Sequence, residues 1–220
     1  MKKFIFAFVV ISTFAIQVVA QSDSKFRFGF RLAPIFTFGR VTDGDNNSIS
    51  GLSTSSRMGL NFGLMGTYSF NDKLGIYSGA QIVLKGFKSK FTNINAETVT
   101  SVSAVEIPLA LHMRSNEIAP NLKIRGLFGL SANIIAGART KTTINGNTVT
   151  RNSTEGFNLF VPDFLVGAGV EWVLPNVGTL DLGLSYHHGL ANLNRTKDQN
   201  GNITSKSRLS YLAIDLGYFF

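Results

Sequence analysis

Apolar side chains recur at every second position through eight separate stretches of this chain, and that period decides what it can fold into. Successive side chains of an extended strand point to opposite faces, so a period of two means strands with one apolar face. In the first stretch, residues 25–38, Phe26, Phe28, Phe30, Leu32, Pro34, Phe36 and Phe38 share a face, against Arg27, Gly29, Arg31, Ala33 and Thr37. The second sets Met58, Leu60, Phe62, Leu64, Tyr68 and Phe70 against Gly59, Asn61, Gly63, Thr67 and Ser69. The third sets Leu74, Ile76, Ala80, Ile82 and Leu84 against Tyr77, Gly79, Gln81 and Lys85; its phase blurs at Gly86 and Phe87, where a β-bulge is expected. The fourth has Val105, Ile107, Leu109, Leu111 and Met113 opposite Glu106, Pro108, Ala110, His112 and Arg114. The fifth has Leu122, Ile124, Phe128, Leu130 and Ile134 opposite Lys123, Arg125, Gly129, Ser131, Asn133 and Arg139. The sixth and seventh continue the pattern, with Asp163 and Glu171 on one polar face and Asp181, Ser185 and His187 on the other. In the last, residues 207–220, Leu212, Ile214, Leu216, Tyr218 and Phe220 oppose Tyr211, Ala213, Asp215, Gly217 and Phe219.

The segments between these stretches alternate in length. Long polar ones are expected at residues 41–55, 93–98, 140–155 and 192–205, and tight turns near Asn71, Asn116, Pro175 and their neighbours. An antiparallel meander with that rhythm places every long loop at one end and every short turn, with both termini, at the other. An even strand number, short inner turns and long outer loops are the grammar of a transmembrane barrel, so the expected fold is all-β: an eight-stranded antiparallel up-and-down barrel in the outer membrane. The stretches exceed the nine to eleven residues that cross a bilayer, so their outer ends are expected to project. A soluble lipocalin-type barrel would turn the other face outward, and that face of Gly, Ser, Asn and few charges makes a poor aqueous surface.

Composition agrees. Only 15% of residues are charged, while Gly numbers 22 and Phe 19, and typical soluble proteins carry about 25% charge. With no Cys there is no disulfide frame and no thiolate metal site. The net charge of +8 is spread along the chain, which argues against nucleic acid. Residues 1–20 read as a cleaved signal peptide: Lys2 and Lys3, an apolar run from Phe4, and a small-residue site at Ala20 before Gln21. The barrel domain is then residues 21–220.

The stretch Glu106, Ile107, Pro108 and Leu109, the GFRLAP opening at residues 29–34 and the ending on Tyr218, Phe219 and Phe220 resemble the PorT-like, porin-like outer-membrane barrel proteins common in Bacteroidetes. Only the Glu-Ile-Pro-Leu element is specific; the remainder is barrel grammar. The resemblance implies an envelope protein, and its namesake is implicated in a secretion and gliding system. Terminal aromatic strands resemble the signal read by the barrel-assembly machinery, a role expected here of Tyr218 and Phe220.

The inward face collects Arg27, Arg31, Lys85, Arg114, Lys123, Arg125 and Arg139 with Glu106, Asp163, Glu171, Asp181 and Asp215. Eight strands leave an interior that side chains can fill, so these charges are expected to pair into a closed lumen, with Arg27–Asp215 closing the first strand on the last. A narrow anion-leaning pore is the alternative, and an accessory barrel of a secretion complex another. No enzyme is expected. A lipid-modifying one would draw on His112 with Glu106, or on Ser185, His187 and His188 with Asp181, but Asp181 and His187 stand six residues apart on one strand, about 20 Å. His187 is expected near the outer membrane interface beside Tyr186. Three His without close ligand spacing give no metal site, and no cofactor is expected. The partners expected are outer-membrane lipid, the assembly machinery and an envelope protein met by the loops.

Overall fold

The computed structural model describes residues 25–45, 47–91, 96–152, 154–194 and 205–220. The signal segment and most of the 192–205 loop expected from sequence lie outside them. Ten strands follow in order: β1 (Phe26–Asp43), β2 (Leu52–Ser55), β3 (Arg57–Ser69), β4 (Leu74–Phe91), β5 (Ala96–Ala119), β6 (Leu122–Ile144), β7 (Asn147–Asn152), β8 (Phe160–Leu174), β9 (Gly178–Gly189) and β10 (Ser205–Phe219). Eight of them pair antiparallel in the circuit β1–β3–β4–β5–β6–β8–β9–β10, and β10 returns to β1. Closure leaves the wall without a free edge, so its backbone donors and acceptors are satisfied strand to strand, as a bilayer requires.

Burial is inverted relative to a water-soluble domain. Phe30 and Leu109 on the outer face are 55% and 63% exposed, while Glu106, Asp163 and Glu171 inside are 0% exposed. Acidic residues are almost never fully buried in soluble proteins unless paired. At the short-turn end the outer face gathers an aromatic rim. Phe70, Tyr68, Phe26 and Phe28 contact one another in series, and Phe30, Phe220 and Tyr218 continue it at centroid distances of 5.4 Å. Phe220 N donates to Phe28 O at 2.9 Å, extending the β1–β10 seam by one residue. Tyr218 Oη donates to Val177 O at 2.7 Å in the β8–β9 turn.

The two additional strands lie beyond the bilayer-crossing portion. β2 lies along β4 and β7 along β6, so β2, β4, β5, β6 and β7 form a tall ridge on one side of the barrel. β5 alone runs 24 residues, against 12 for β9. Much of the expected loop at residues 140–155 is therefore a hairpin. Asn145 and Gly146 turn it with φ of 48° and 85°, the left-handed pair that an Asn-Gly hairpin turn requires. Its Thr-rich arms suit extended backbone. Likewise β1 runs on to Asp43 and β2 occupies part of the expected 41–55 loop. The bulge expected at Gly86 and Phe87 does not form. Pairing of β4 with β5 runs in constant register from Leu74↔Met113 to Phe91↔Ala96, and Phe87 keeps its inward phase, buried in an apolar cluster. The phase only looked blurred because Gly86 has no side chain to show.

Candidate functional site in the barrel lumen

Inward residues fill the lumen in layers. At the short-turn end Arg27 Nη2 donates to Glu171 Oε1 at 3.0 Å and Arg27 Nε to Thr67 Oγ1 at 3.3 Å, while its guanidinium covers the Phe219 ring at 4.6 Å. Arg114 reaches Glu171 at 3.9 Å and donates to Ser69 Oγ, and His112 Nε2 lies 3.0 Å from Glu171 Oε1. Glu171, on β8, thus gathers side chains from β1 and β5 across the barrel.

The next layer is centred on Asp215. Arg31 donates to Asp215 Oδ1 through Nε and Nη2, to Gln81 Oε1 and to Ser185 Oγ, and Ser185 Oγ donates to Asp215 in turn. Arg125 Nε donates to Asp181 Oδ1 at 2.7 Å and its Nη2 to Asp215 Oδ2 at 3.3 Å. A Cβ at Gly183 would come within 2.8 Å of Arg125 Nη2, so the missing side chain on β9 is what lets that guanidinium through. Two voids border this layer, each about 10 Å³, the room of about one water.

Above it Lys85 Nζ donates to Asn133 Oδ1 at 2.9 Å and to Asp163 Oδ2 at 3.4 Å, and Asn133 Nδ2 donates to Asp163 Oδ2 at 2.8 Å. Tyr211 Oη donates to Glu106 Oε2 at 2.7 Å, and its ring stacks on His187 at 4.2 Å. Glu106 Oε1 stands 3.3 Å from His187 Nδ1 without the alignment of a hydrogen bond. A last, apolar layer closes the outer end: Phe87, Val102, Ala104, Ile135, Val161 and Leu209 with Leu193 from the segment after β9. Asn158 N donates to Leu193 O, and Leu193 N to Ser207 O, pinning that segment into the mouth.

Of the charged residues read from sequence, Arg27, Arg31, Lys85, Glu106, Arg114, Arg125, Asp163, Glu171, Asp181 and Asp215 meet in these layers. Three expectations are overturned. Arg27 does not meet Asp215. Asp215 lies between the register pairs Leu32↔Leu216 and Ile35↔Ala213, whereas Arg27 lies beyond Gly29↔Phe219, so Arg31 is the arginine within reach. Arg139 leaves the lumen. The β5–β6 register shifts at Ser103/Ala104, and Ala136 has no partner between Ile135 and Gly137. One extra residue flips every later side chain to the other face, and Arg139 is exposed, its Nε donating to Asn152 Oδ1. Lys123 is cross-strand from Glu171 and half-buried, yet it makes none of the ion pairs within 4 Å found among the described residues. Arg27, Arg114 and His112 have taken that carboxylate.

His187 keeps the inward phase that alternation assigns it, so of the two neighbouring histidines only His188 lies on the outer face. His187 is 1% exposed inside the lumen, and the Nδ1 of His188 lies 3.2 Å from Tyr186 Oη. Sequence reasoning tested His112 and His187 only against carboxylates of their own strands. The barrel pairs them across the lumen instead, His112 with Glu171 and His187 with Glu106. Tyr211, Gln81 and Asn133 complete the network; their inward phase was the available signal.

A closed eight-strand wall, apolar outside and ionic inside, with an aromatic rim at the short-turn end, defines an outer-membrane β-barrel. The chain belongs to the outer membrane protein beta-barrel domain family, whose model matches residues 19–195, and it resides in the cell outer membrane, in contact with its lipid. Among solved structures it is similar to OprG of Pseudomonas aeruginosa, 14% identical with a TM-score of 0.54 over 90% of this chain and 99% of that one. It is also similar to Neisserial surface protein A, at 14%, 0.46, 90% and 98%, and to Ail of Yersinia pestis, at 16%, 0.39, 88% and 98%. No curated protein sequence matches.

Proposed function

We propose that this is a non-conducting, non-catalytic barrel that presents a protein-binding ridge on the outer cell surface. The observation that carries the reading is the filled lumen: two ionic layers, a third polar layer and an apolar layer closed by Leu193 lie across one narrow bore. The voids within it, about 10 Å³ each, are too small for a hydrated anion. The basic surplus that favoured an anion-leaning pore is spent on carboxylates, save for Lys123, half-buried at the short-turn end, and Arg139, which lies outside. Planar-bilayer recording of the refolded barrel tests this: silence is expected, and steady anion-selective steps would overturn it.

The ridge supports the binding half of the proposal. Among the described residues β7 pairs only with β6, every residue of β7 is exposed, and Val149 is bare. An exposed strand edge is a template for an added strand of a partner chain. The partner is an envelope protein, and the resemblance of the Glu-Ile-Pro-Leu stretch to the PorT-like group makes an accessory place in a secretion complex the natural setting. The chain is made as a precursor, loses residues 1–20, and is inserted by the barrel-assembly machinery reading Tyr218 and Phe220, which stand in the aromatic rim. Native-membrane pull-downs with the 140–151 hairpin intact or replaced by a tight turn test the ridge; identical sets of captured proteins would refute it.

A further inference from the structure

The lumen layer that contains Glu106 is built differently from the others. Glu106 from β5, Asp163 from β8 and His187 from β9 each offer a ligand atom, and these atoms all lie within 4.8 Å of one another. All three side chains are buried, at 0%, 0% and 1% exposure. Glu106 Oε1, Asp163 Oδ1 and both His187 ring nitrogens make no hydrogen bond. Their second oxygens are the ones in use: Tyr211 holds Glu106 Oε2, and Asn133 and Lys85 hold Asp163 Oδ2. Each carboxylate is therefore fixed through one oxygen while the other makes no hydrogen bond, and that of Glu106 stands 3.3 Å from His187 Nδ1. Buried polar atoms are nearly always paired, so unpaired atoms on three side chains whose ligand atoms lie within 4.8 Å of one another call for a ligand.

We propose that Glu106, Asp163 and His187 bind one divalent transition-metal cation inside the barrel. Two carboxylate oxygens and an imidazole nitrogen are the donors that zinc and its first-row neighbours take, with distances of about 2.0–2.2 Å. Two such donors on one tetrahedral ion stand about 3.3 Å apart, and His187 Nδ1 and Glu106 Oε1 are separated by 3.3 Å. Charge agrees: two carboxylates face a single ammonium, Lys85, whereas Arg31 is already neutralised by Asp215. The outer-sphere contacts fit as well, since Tyr211 and Asn133 orient the carboxylates as second partners do at metal centres. The contrast with His112 is instructive, because Glu171 beside it is held by Arg27 and Arg114, cations that leave no charge for a metal. The Glu of the Glu-Ile-Pro-Leu stretch acquires a role in this reading: it is a ligand.

The test uses untagged barrel, refolded with zinc, manganese, nickel or ferrous ion after stripping with chelator, then dialysed and assayed for metal by mass spectrometry. About one zinc per folded barrel is expected, and cobalt in its place should give the visible absorption bands of a nitrogen–oxygen site. His187→Ala and Asp163→Asn should each weaken retention at least tenfold, while His112→Ala retains metal like the parent. Heat-modifiability on gels confirms folding of each variant, and cobalt spectra of the parent stand even if a variant fails to fold. Absence of all four metals from the folded parent, or equal retention by His187→Ala, would overturn the proposal.

Discussion

Two charged layers of the lumen lie one above the other, and they treat their carboxylates in opposite ways. Around Asp215 both oxygens accept: Oδ1 from Arg31 and Ser185, Oδ2 from Arg125. In that layer Arg125 Nη1 is left without a partner. Around Glu106 and Asp163, one oxygen of each accepts and the other does not. Both layers are sealed from water by the same wall, so the difference comes from the residues and not from the environment. The Asp215 layer carries cations enough for its acids and ties β1, β6, β9 and β10 together; it fixes register. The Glu106 layer has acids in excess of its one lysine and is shaped around a point, as a binding site is. Buried carboxylate oxygens left without a hydrogen bond mark where structure has been given up for something else.

Breaking the first layer should have the largest effect. Asp215→Ala leaves Arg31 without a carboxylate partner and Arg125 with Asp181 alone, both buried. Removal of one partner from a buried ion pair costs about 3–5 kcal/mol. Urea unfolding in detergent should register that loss, with a lower thermal midpoint on heat-modifiability gels. An unchanged midpoint would mean that the layer does not hold the register.

The second layer should respond to metal. With zinc at about a hundred times its dissociation constant, the parent should gain about 2.7 kcal/mol of apparent stability. Asp163→Asn should forfeit that gain; because it also takes the charge from the buried Lys85–Asp163 pair, its zinc response is read against its own metal-free form. Equal zinc response in both proteins would erase the distinction between the layers. A smaller effect is expected at Gly183. Gly183→Val puts branches against Arg125 Nη2 and the β8 backbone, and such overpacking costs about 1–3 kcal/mol. The urea midpoint should fall, and the variant should retain zinc as the parent does, since the strain stays in the Asp215 layer.

How much of this could be read from the chain depends on how far each feature reaches along it. The eight wall strands and their facing are local, since Phe30 against Arg31 or Leu216 against Asp215 needs only the next residue. The outward facing of Phe26, Phe28, Tyr68 and Phe70 was legible for the same reason. The partners were not. Which arginine meets Asp215 depends on the β1–β10 register, and which histidine meets Glu106 depends on closure of the whole circuit, so neither Arg31–Asp215 nor His187–Glu106 is written in any neighbouring spacing. The β6–β7 hairpin lay between these cases. Its Asn-Gly turn is a local signal, hidden inside a Thr-rich segment that reads as loop.

Arg139 provides the smallest expected effect and the sharpest control. The alternation that carries Arg125 inward would carry Arg139 inward too, fourteen residues on, were it not for the unpaired Ala136. Arg139→Gln should leave the thermal midpoint within about 2 °C of the parent, because an exposed side chain away from caps and ion-pair networks contributes little. The same substitution at Arg125 removes the charge facing Asp181 and Asp215 and should shift the midpoint by several times that amount. Deleting Ala136 joins the two experiments. Without the extra residue the outer part of β6 should return to the inner phase and drive Arg139 toward the apolar layer of Phe87 and Ile135. That deletion should destabilise the barrel, and adding Arg139→Leu to it should recover part of the loss. If the deletion alone is silent, the bulge does not set the facing of the ridge, and the flip of Arg139 needs another cause.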